Sequence, residues 1–363
     1  MTRSGPLKDV RVIEFAGIGP GPYCAMLLSD MGADVLRVDR RDGQRLADDP
    51  TLRGRASLVL DLKNPAHVER CLAAIERADV LIEGFRPGVM ERLGLGPETA
   101  LSRNPRLIYG RMTGWGQHGP LARAAGHDIN YIALSGALEA IGAPGAPPSP
   151  PLNLVGDYGG GSLFLAFGIA AALFERETSG RGQVIDAAIV DGAASLMSVF
   201  WGTLARDPAM MDKGRSLLGG GAPFYRCYEC ADGKFVSIGP IEPQFFARML
   251  DSIGLDAAEP GSQLDRDSWA VDSDRLAAIF IGKTRDEWTR LLEGTDACFA
   301  PVLHISEVPD HPHIAARAIV QDCFGLRQPA PAPRFSRTPG AIQGPVSELG
   351  LGGEETLRAW GVA

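Results

Sequence analysis

Val10-Arg-Val-Ile-Glu-Phe-Ala-Gly-Ile-Gly-Pro-Gly-Pro22, continuing through Tyr23–Met31 and Gly32 to Asp34-Val-Leu-Arg-Val-Asp39, is the stretch whose reading decides the fold. A short β-rich run breaks into a turn of glycines and prolines. A helical stretch then runs from Tyr23 to Met31 and stops at Gly32, before a second β-rich run. The alternation repeats downstream. Ser57-Leu-Val-Leu-Asp61, Asp79-Val-Leu-Ile-Glu83 and Arg106-Leu-Ile-Tyr-Gly-Arg-Met112 read as strands, with Pro65 placed for a helix start. Strands separated by helices predict an α/β fold built on a parallel, doubly wound sheet.

The pattern is interrupted by the Pro/Gly-rich stretch Gly142–Pro151. Asn153-Leu-Val-Gly-Asp157 follows, then three glycines, then a helix over Ser162–Glu175 that ends at Gly180 or Gly182. That helix is apolar on nearly every side, which predicts burial. Gly182-Gln-Val-Ile-Asp186 reads as a strand feeding a helix through Met197. The polar, Gly-rich Arg206–Pro223 reads as a crossover linker. From Phe224 the character becomes α+β, with two strands around an Asp-Gly turn in Tyr228–Ile238 and helices near Glu242–Ile253 and Thr284–Glu293. Glu354–Trp360 reads as a last short helix. The predicted organisation is a large domain over residues 1–200 completed by 325–363, a linker over 201–223, and a small α+β domain over 224–324.

A chain of 363 residues accommodates two such domains. Lys+Arg 36 against Asp+Glu 44 gives a net charge of −8, which argues against non-specific nucleic-acid binding. The N-terminal stretch lacks the apolar core of a secretory signal. The longest apolar run, Leu163–Phe174, is shorter than the ~20 residues a membrane span needs, so no span is expected. Six scattered cysteines read as reduced thiols, making a cytoplasmic location the expectation.

Four constellations invite chemistry. Gly17-x-Gly19-x-Gly21 with Asp39 resembles a dinucleotide fingerprint, but Pro22 occupies the third glycine position and Pro20 and Pro22 lack N–H groups. A tight strand-to-helix turn is therefore expected, and no NAD. Cys227-x-x-Cys230 with His311 and His313 has no second CxxC, so buried structural thiols are expected rather than a metal site. Arg37, Arg40, Arg41, Arg45, Arg53, Arg55, Lys63, Arg86 and Arg92 form either a solvated face or a clamp for a phosphate-bearing ligand. His127, in Gly126-His-Asp-Ile-Asn-Tyr131, reads as a loop histidine or an acid/base. Asp157, before its glycines, reads as a helix N-cap or an acid/base.

Several motifs together resemble the family III CoA-transferases: Glu14-x-Ala-Gly-Ile-Gly-Pro-Gly-Pro22, Asp61-Leu-Lys63, Asp79-Val-Leu-Ile-Glu-Gly-Phe-Arg-Pro-Gly88, Arg92-Leu-Gly-Leu-Gly96 and Met112-Thr-Gly-Trp-Gly-Gln117. Gly126-His-Asp-Ile-Asn-Tyr131, Asn153-Leu-Val-Gly-Asp157 and Gly239-x-Ile-Glu-Pro-Gln244 resemble the branch that racemises 2-methylacyl-CoA thioesters. The likeness runs from about residue 7 to Arg337, most of the chain.

The resemblance implies a Rossmann-like large domain in an interlaced homodimer, with the active site shared between the large domain of one chain and the small domain of the other. It implies an acyl-CoA substrate, with Arg40, Leu60, Lys63, Gly84, Phe85, Val89 and Arg92 at CoA-contact positions and no cofactor beyond that CoA. His127 and Asp157 align with the two catalytic bases, and Glu242 with a small-domain glutamate that reaches the histidine from the second chain. Ile18, Asp128, Tyr131, Asn153 and Tyr225 fall around the substrate. One base on each face of C2 would remove and return its proton, and the helix start after Asp157 would offer N–H groups to the enolate. The alternative within the family is CoA transfer with Asp157 as nucleophile. Outside it stand an idle CoA-binding scaffold and an NAD-dependent dehydrogenase. Gly219 departs from the branch, whose members tend to carry an aspartate there.

Overall fold

The computed structural model describes residues 3–43, 48–256 and 262–362, and Arg45 lies outside them. The chain divides into two compact units. The first comprises Met1–Ser135, Pro151–Leu196 and His313–Ala363; the second comprises Gly136–Pro150 and Met197–Pro312. The boundaries differ from those read in the sequence. Gly136–Pro150, expected in the large domain, belongs to the second unit, where the Ala146 carbonyl accepts from Lys213 Nζ. The stretch expected to be a linker, 201–223, also packs there, carrying short helical turns at Pro208–Met211 and Leu217–Gly221.

The first unit is built on a parallel sheet of β1 (Arg11–Phe15), β2 (Asp34–Asp39), β3 (Arg55–Val59), β4 (Val80–Glu83), β5 (Ile108–Thr113) and β6 (Gln183–Ala188). Its spatial order is β3-β2-β1-β4-β5-β6. The chain winds outward from β1 in one direction, then returns beside it as β4 and winds the other way. Alternate residues feed opposite faces, as the strand period requires. Ile13, Leu36, Leu58 and Leu81 point into one core with helix α2 (Pro65–Ile75) and the closing helix Gly353–Ala359. Val12, Val35, Val80 and Ile108 point into the other, beneath α1 (Pro20–Asp30) and the long helix described next. C-terminal residues complete the first core: Trp360 is buried in it and its indole N–H donates to Asp34 Oδ2 at 2.7 Å.

After α3 (Val89–Arg92), α4 (Pro97–Arg103) and α5 (Asp128–Leu134), a π-helical segment, Leu154–Ser162, runs directly into α6 (Leu163–Ser179), which stops at Gly180 with φ +72°. The continuous rod, Leu154–Ser179, has 26 residues and a mean hydropathy of 1.3, so it is long and apolar enough to cross a membrane, unlike the shorter apolar run seen in the sequence. Its burial differs from expectation too. Leu165, Ile169, Ala172 and Leu173 pack into the core, whereas Phe167 and Phe174 are 74% and 82% exposed. One stripe suffices to cover β5 and β6, which leaves the other stripe bare. The glycines after Asp157 serve a crossing with α7 (Ile189–Leu196): a Cβ at Gly192 would lie 1.9 Å from the Gly160 carbonyl oxygen, so only glycine fits.

The second unit carries an antiparallel sheet of β7 (Arg226–Glu229), β8 (Phe235–Ile238) and β9 (Phe299–Val302). Its helices include α8 (Ser198–Thr203), α9 (Pro243–Ser252), α10 (Trp269–Phe280) and α11 (Arg285–Leu292), of which α10 and strand β9 were not read from the sequence. Its core gathers Tyr228, Cys230, Val236, Ile238, Phe280 and Trp288. Cys227, expected to be buried beside Cys230, is exposed, because alternation along β7 turns the side chain of Cys227 away from that core.

Candidate active site

The switch point between β1 and β4 is where an open parallel sheet forms a crevice at its carboxyl ends. A cleft of about 480 Å³ lies there. It is lined by Phe15–Pro22 after β1, by Gly84, Phe85 and Arg86 after β4, by Thr113–Trp115 after β5, and by His127, Tyr131 and Asp157. The sequence-predicted pair is therefore brought to one cavity, together with Ile18, Gly84, Phe85 and Tyr131.

His127 stands at the start of α5, where Asn130 Oδ1 accepts its peptide N–H at 3.0 Å. Capping of this kind fixes the backbone that carries the imidazole. Asp157 sits inside the π-helical segment, held from two sides. Its peptide N–H donates to Asp128 Oδ2 at 2.7 Å, and its carboxylate is hydrogen-bonded by the Asn153 side chain. Burial and the Asp128 charge push the Asp157 carboxyl up to about 6, against the Asn153 hydrogen bond and the nearby His127. Asp128 is itself buried, and its Oδ1 has no partner among the described residues. Gly19, at φ +67°, approaches the carboxylate from the first turn: a Cβ there would be 3.1 Å from Asp157 Oδ2.

Two expectations for Asp157 are corrected. It is not an N-cap, since the helical segment opens at Leu154, three residues earlier. Nor does a helix start after it present free N–H groups to an enolate. The Asp157 N–H is taken by Asp128, that of Tyr158 by the Asn153 carbonyl at 3.2 Å, and the following ones lie within the helix.

The basic cluster also divides. Arg37 and Arg55 are buried and share the two oxygens of Glu14, at 2.9 and 2.6 Å, while Arg53 is paired with Asp30. These three cannot face a phosphate. Asp39, the acidic member of the apparent dinucleotide fingerprint, is buried against Arg37 and Ser57. Arg40, Arg41, Lys63, Arg86 and Arg92 are exposed, and among the described members of the cluster these remain for a polyanion. Leu60 is only 2% exposed and its side chain packs in the first core. Val89 is half-buried at the start of α3.

Tyr225 and Glu242 belong to the second unit. Tyr225 lines a cavity of about 710 Å³ with Gly219, Gly239 and Cys298, and Glu242 is the exposed residue preceding α9. A Cβ at Gly219 would lie 3.0 Å from Ser216 Oγ, which accepts the Gly219 N–H at 3.1 Å. The sequence reading missed Trp115 as a wall of the cleft that holds His127 and Asp157, edge-on to Tyr131 with ring centroids 4.8 Å apart. The signal was its place in Met112-Thr-Gly-Trp-Gly-Gln117. Among the described residues no group of three or more His, Cys, Asp or Glu side chains is placed to hold a metal ion.

Known proteins resemble this chain over most of its length. The chain is 47% identical over 358 residues to the alpha-methylacyl-CoA racemase of Mus musculus, covering 98% of this chain and 93% of that one. It is 46% identical over 334 residues to the alpha-methylacyl-CoA racemase of Homo sapiens, covering 92% and 87%. In fold it resembles a CAIB/BAIF family protein from Brucella suis, with a TM-score of 0.83 at 23% identity over 99% of this chain and 100% of that chain. Residues 7–351 match CoA-transferase family III, and the chain belongs to that family.

Proposed function

We propose that the chain is an alpha-methylacyl-CoA racemase, interconverting (2R)- and (2S)-2-methylacyl-CoA thioesters by moving the C2 proton through an enolate. The observation that carries this is the meeting of His127 and Asp157 in one cleft, with the Asp157 carboxyl raised to about 6. A carboxyl near that value is a competent acid and a competent base close to neutral pH. The thioester carbonyl delocalises the carbanion, so the protein needs one group to take the proton and another to return it on the opposite face. The two racemases at 47% and 46% identity support the same reading.

The large unit reads as Rossmann-like, supported by its β3-β2-β1-β4-β5-β6 order. Arg40, Lys63 and Arg92 would hold the CoA phosphates, with Gly84, Phe85 and Val89 along the CoA chain. The active form would be an interlaced homodimer in the cytoplasm, with Tyr225 and Glu242 of a second copy completing each site. The exposed Phe167 and Phe174 support association of this kind.

A single-epimer 2-methylacyl-CoA in deuterated water tests the reaction. Deuterium at C2 and accumulation of both epimers, with no acceptor acid added, is the expected result. A stable, unlabelled epimer whose CoA passes to an added carboxylate would replace racemisation by CoA transfer through Asp157.

A further inference from the structure

We propose that Arg37 and Arg55 are positioning residues that lock the Gly17–Pro22 turn against Asp157. This deepens the proposed function, since it rests on Asp157 acting as an acid/base. The two arginines belong to a buried charge network that joins the later halves of β1 and β2 to Arg55, the first residue of β3. Glu14 is fully buried and opposite Arg37 in the sheet register. Its two oxygens bind Arg37 Nη1 at 2.9 Å and Arg55 Nη1 at 2.6 Å, and Arg37 Nε also binds Asp39 at 2.9 Å. Both guanidiniums have a further nitrogen directed at the turn. Arg37 donates to the Gly17 carbonyl at 3.4 Å and Arg55 to the Pro22 carbonyl at 2.5 Å, so the two ends of the segment are tied to one network.

Between those anchors the turn meets Asp157 at several points. A Cβ at Gly19 would come within 3.1 Å of Asp157 Oδ2, so the turn backbone sits against the carboxylate. Ser162 Oγ lies 2.7 Å from the Pro20 carbonyl and 3.0 Å from the Asp157 carbonyl, bridging turn and helix. Tyr23 stacks on Tyr158 with centroids 4.2 Å apart, one residue beyond Asp157. A prolyl turn with two N–H groups missing has few bonds of its own to hold it. Charge-assisted bonds from rigid guanidinium forks supply that constraint. The turn then keeps water from one side of Asp157, whose other neighbours are Asp128, His127, Tyr131 and Asn153.

The test is C2 deuterium exchange by Arg37→Gln, Arg37→Lys and Ser162→Ala, each with CoA affinity measured by calorimetry. Arg37→Gln is expected to lower kcat about ten- to a hundredfold, with KM and CoA affinity changed less than about threefold. Its acid limb should move to lower pH by about half a unit or more, because water reaching Asp157 relieves the burial that raises it. Arg37→Lys should recover part of kcat. Ser162→Ala, which leaves the buried charges intact, should lower kcat in the same direction and keeps the idea testable if Arg37→Gln does not fold. An unmoved acid limb in both variants, or a loss confined to CoA affinity, overturns the positioning role. Asp157→Asn separates the two readings: if it exchanges normally, the proposed function fails, whereas a dead Asp157→Asn beside a fully active Arg37→Gln overturns only the positioning.

Discussion

Asp157 is held by contacts that pull its proton affinity in opposite directions. Burial and Asp128 raise it, while Asn153 and His127 lower it, and the balance stands at about 6. A two-base racemase must hold one proton across the pair, so activity is lost on the acid side when both groups are protonated. The acid limb of kcat/KM is therefore expected well above the ordinary carboxylate range of about 4. Asp128→Asn removes the charge that disfavours ionisation of Asp157, so the Asp157 pKa falls and the limb should move to lower pH by up to about one unit. Exchange rates across pH 4 to 8 measure this, and a limb shifting upward would contradict the assigned cause. His127→Ala and Asp157→Ala should each cost several powers of ten in exchange, each leaving one face of C2 without its acid/base. His127 and Asp157 were legible in the sequence only through motifs. Nothing in the local pattern distinguished His127 from a loop histidine, because burial and neighbours, which make the chemistry, are set by residues far away in the chain.

At the level of elements, strands β1 to β6 were readable because each is a short apolar run bounded by glycine, proline or charge. The π-helical entry to α6 was not. Leu154–Ser162 is rich in glycine, a composition that reads as a loop, and its helical form is imposed by α7 packing across Gly160. Arg37 and Arg55 were misread for a related reason. Their surface-type side chains gave no hint of Glu14, which lies 23 and 41 residues away. The glycine crossing gives a stability prediction. Gly192→Val forces a side chain into the space of the Gly160 carbonyl and should destabilise the protein by about 2–4 kcal/mol, in line with overpacking of a close contact. Thermal unfolding reads the change, and an unaltered midpoint would mean the helices separate at little cost.

For the whole molecule, the question is why one chain divides its predicted site between two units. His127 and Asp157 lie in the first, Tyr225 and Glu242 in the second. If each active site pairs the first unit of one copy with the second unit of another, the two lesions Asp157→Ala and Glu242→Ala complement one another. In a mixed dimer one site carries both lesions and the other carries neither. Random pairing makes half of the dimers mixed, so co-expression of the two variants should restore about a quarter of the wild-type sites. Each variant expressed alone stays at its own low level. Co-expression matters because chains interlaced as proposed would not exchange freely once folded. A site confined to one chain has the opposite consequence, since every chain in the mixture then carries a lesion and no activity returns. Measuring C2 deuterium exchange in the co-expressed mixture against the separately purified variants decides between the two arrangements. Substituting both Phe167 and Phe174 by Asp in the same background should abolish the restored fraction, because it places charge on the bare stripe through which the copies are proposed to meet.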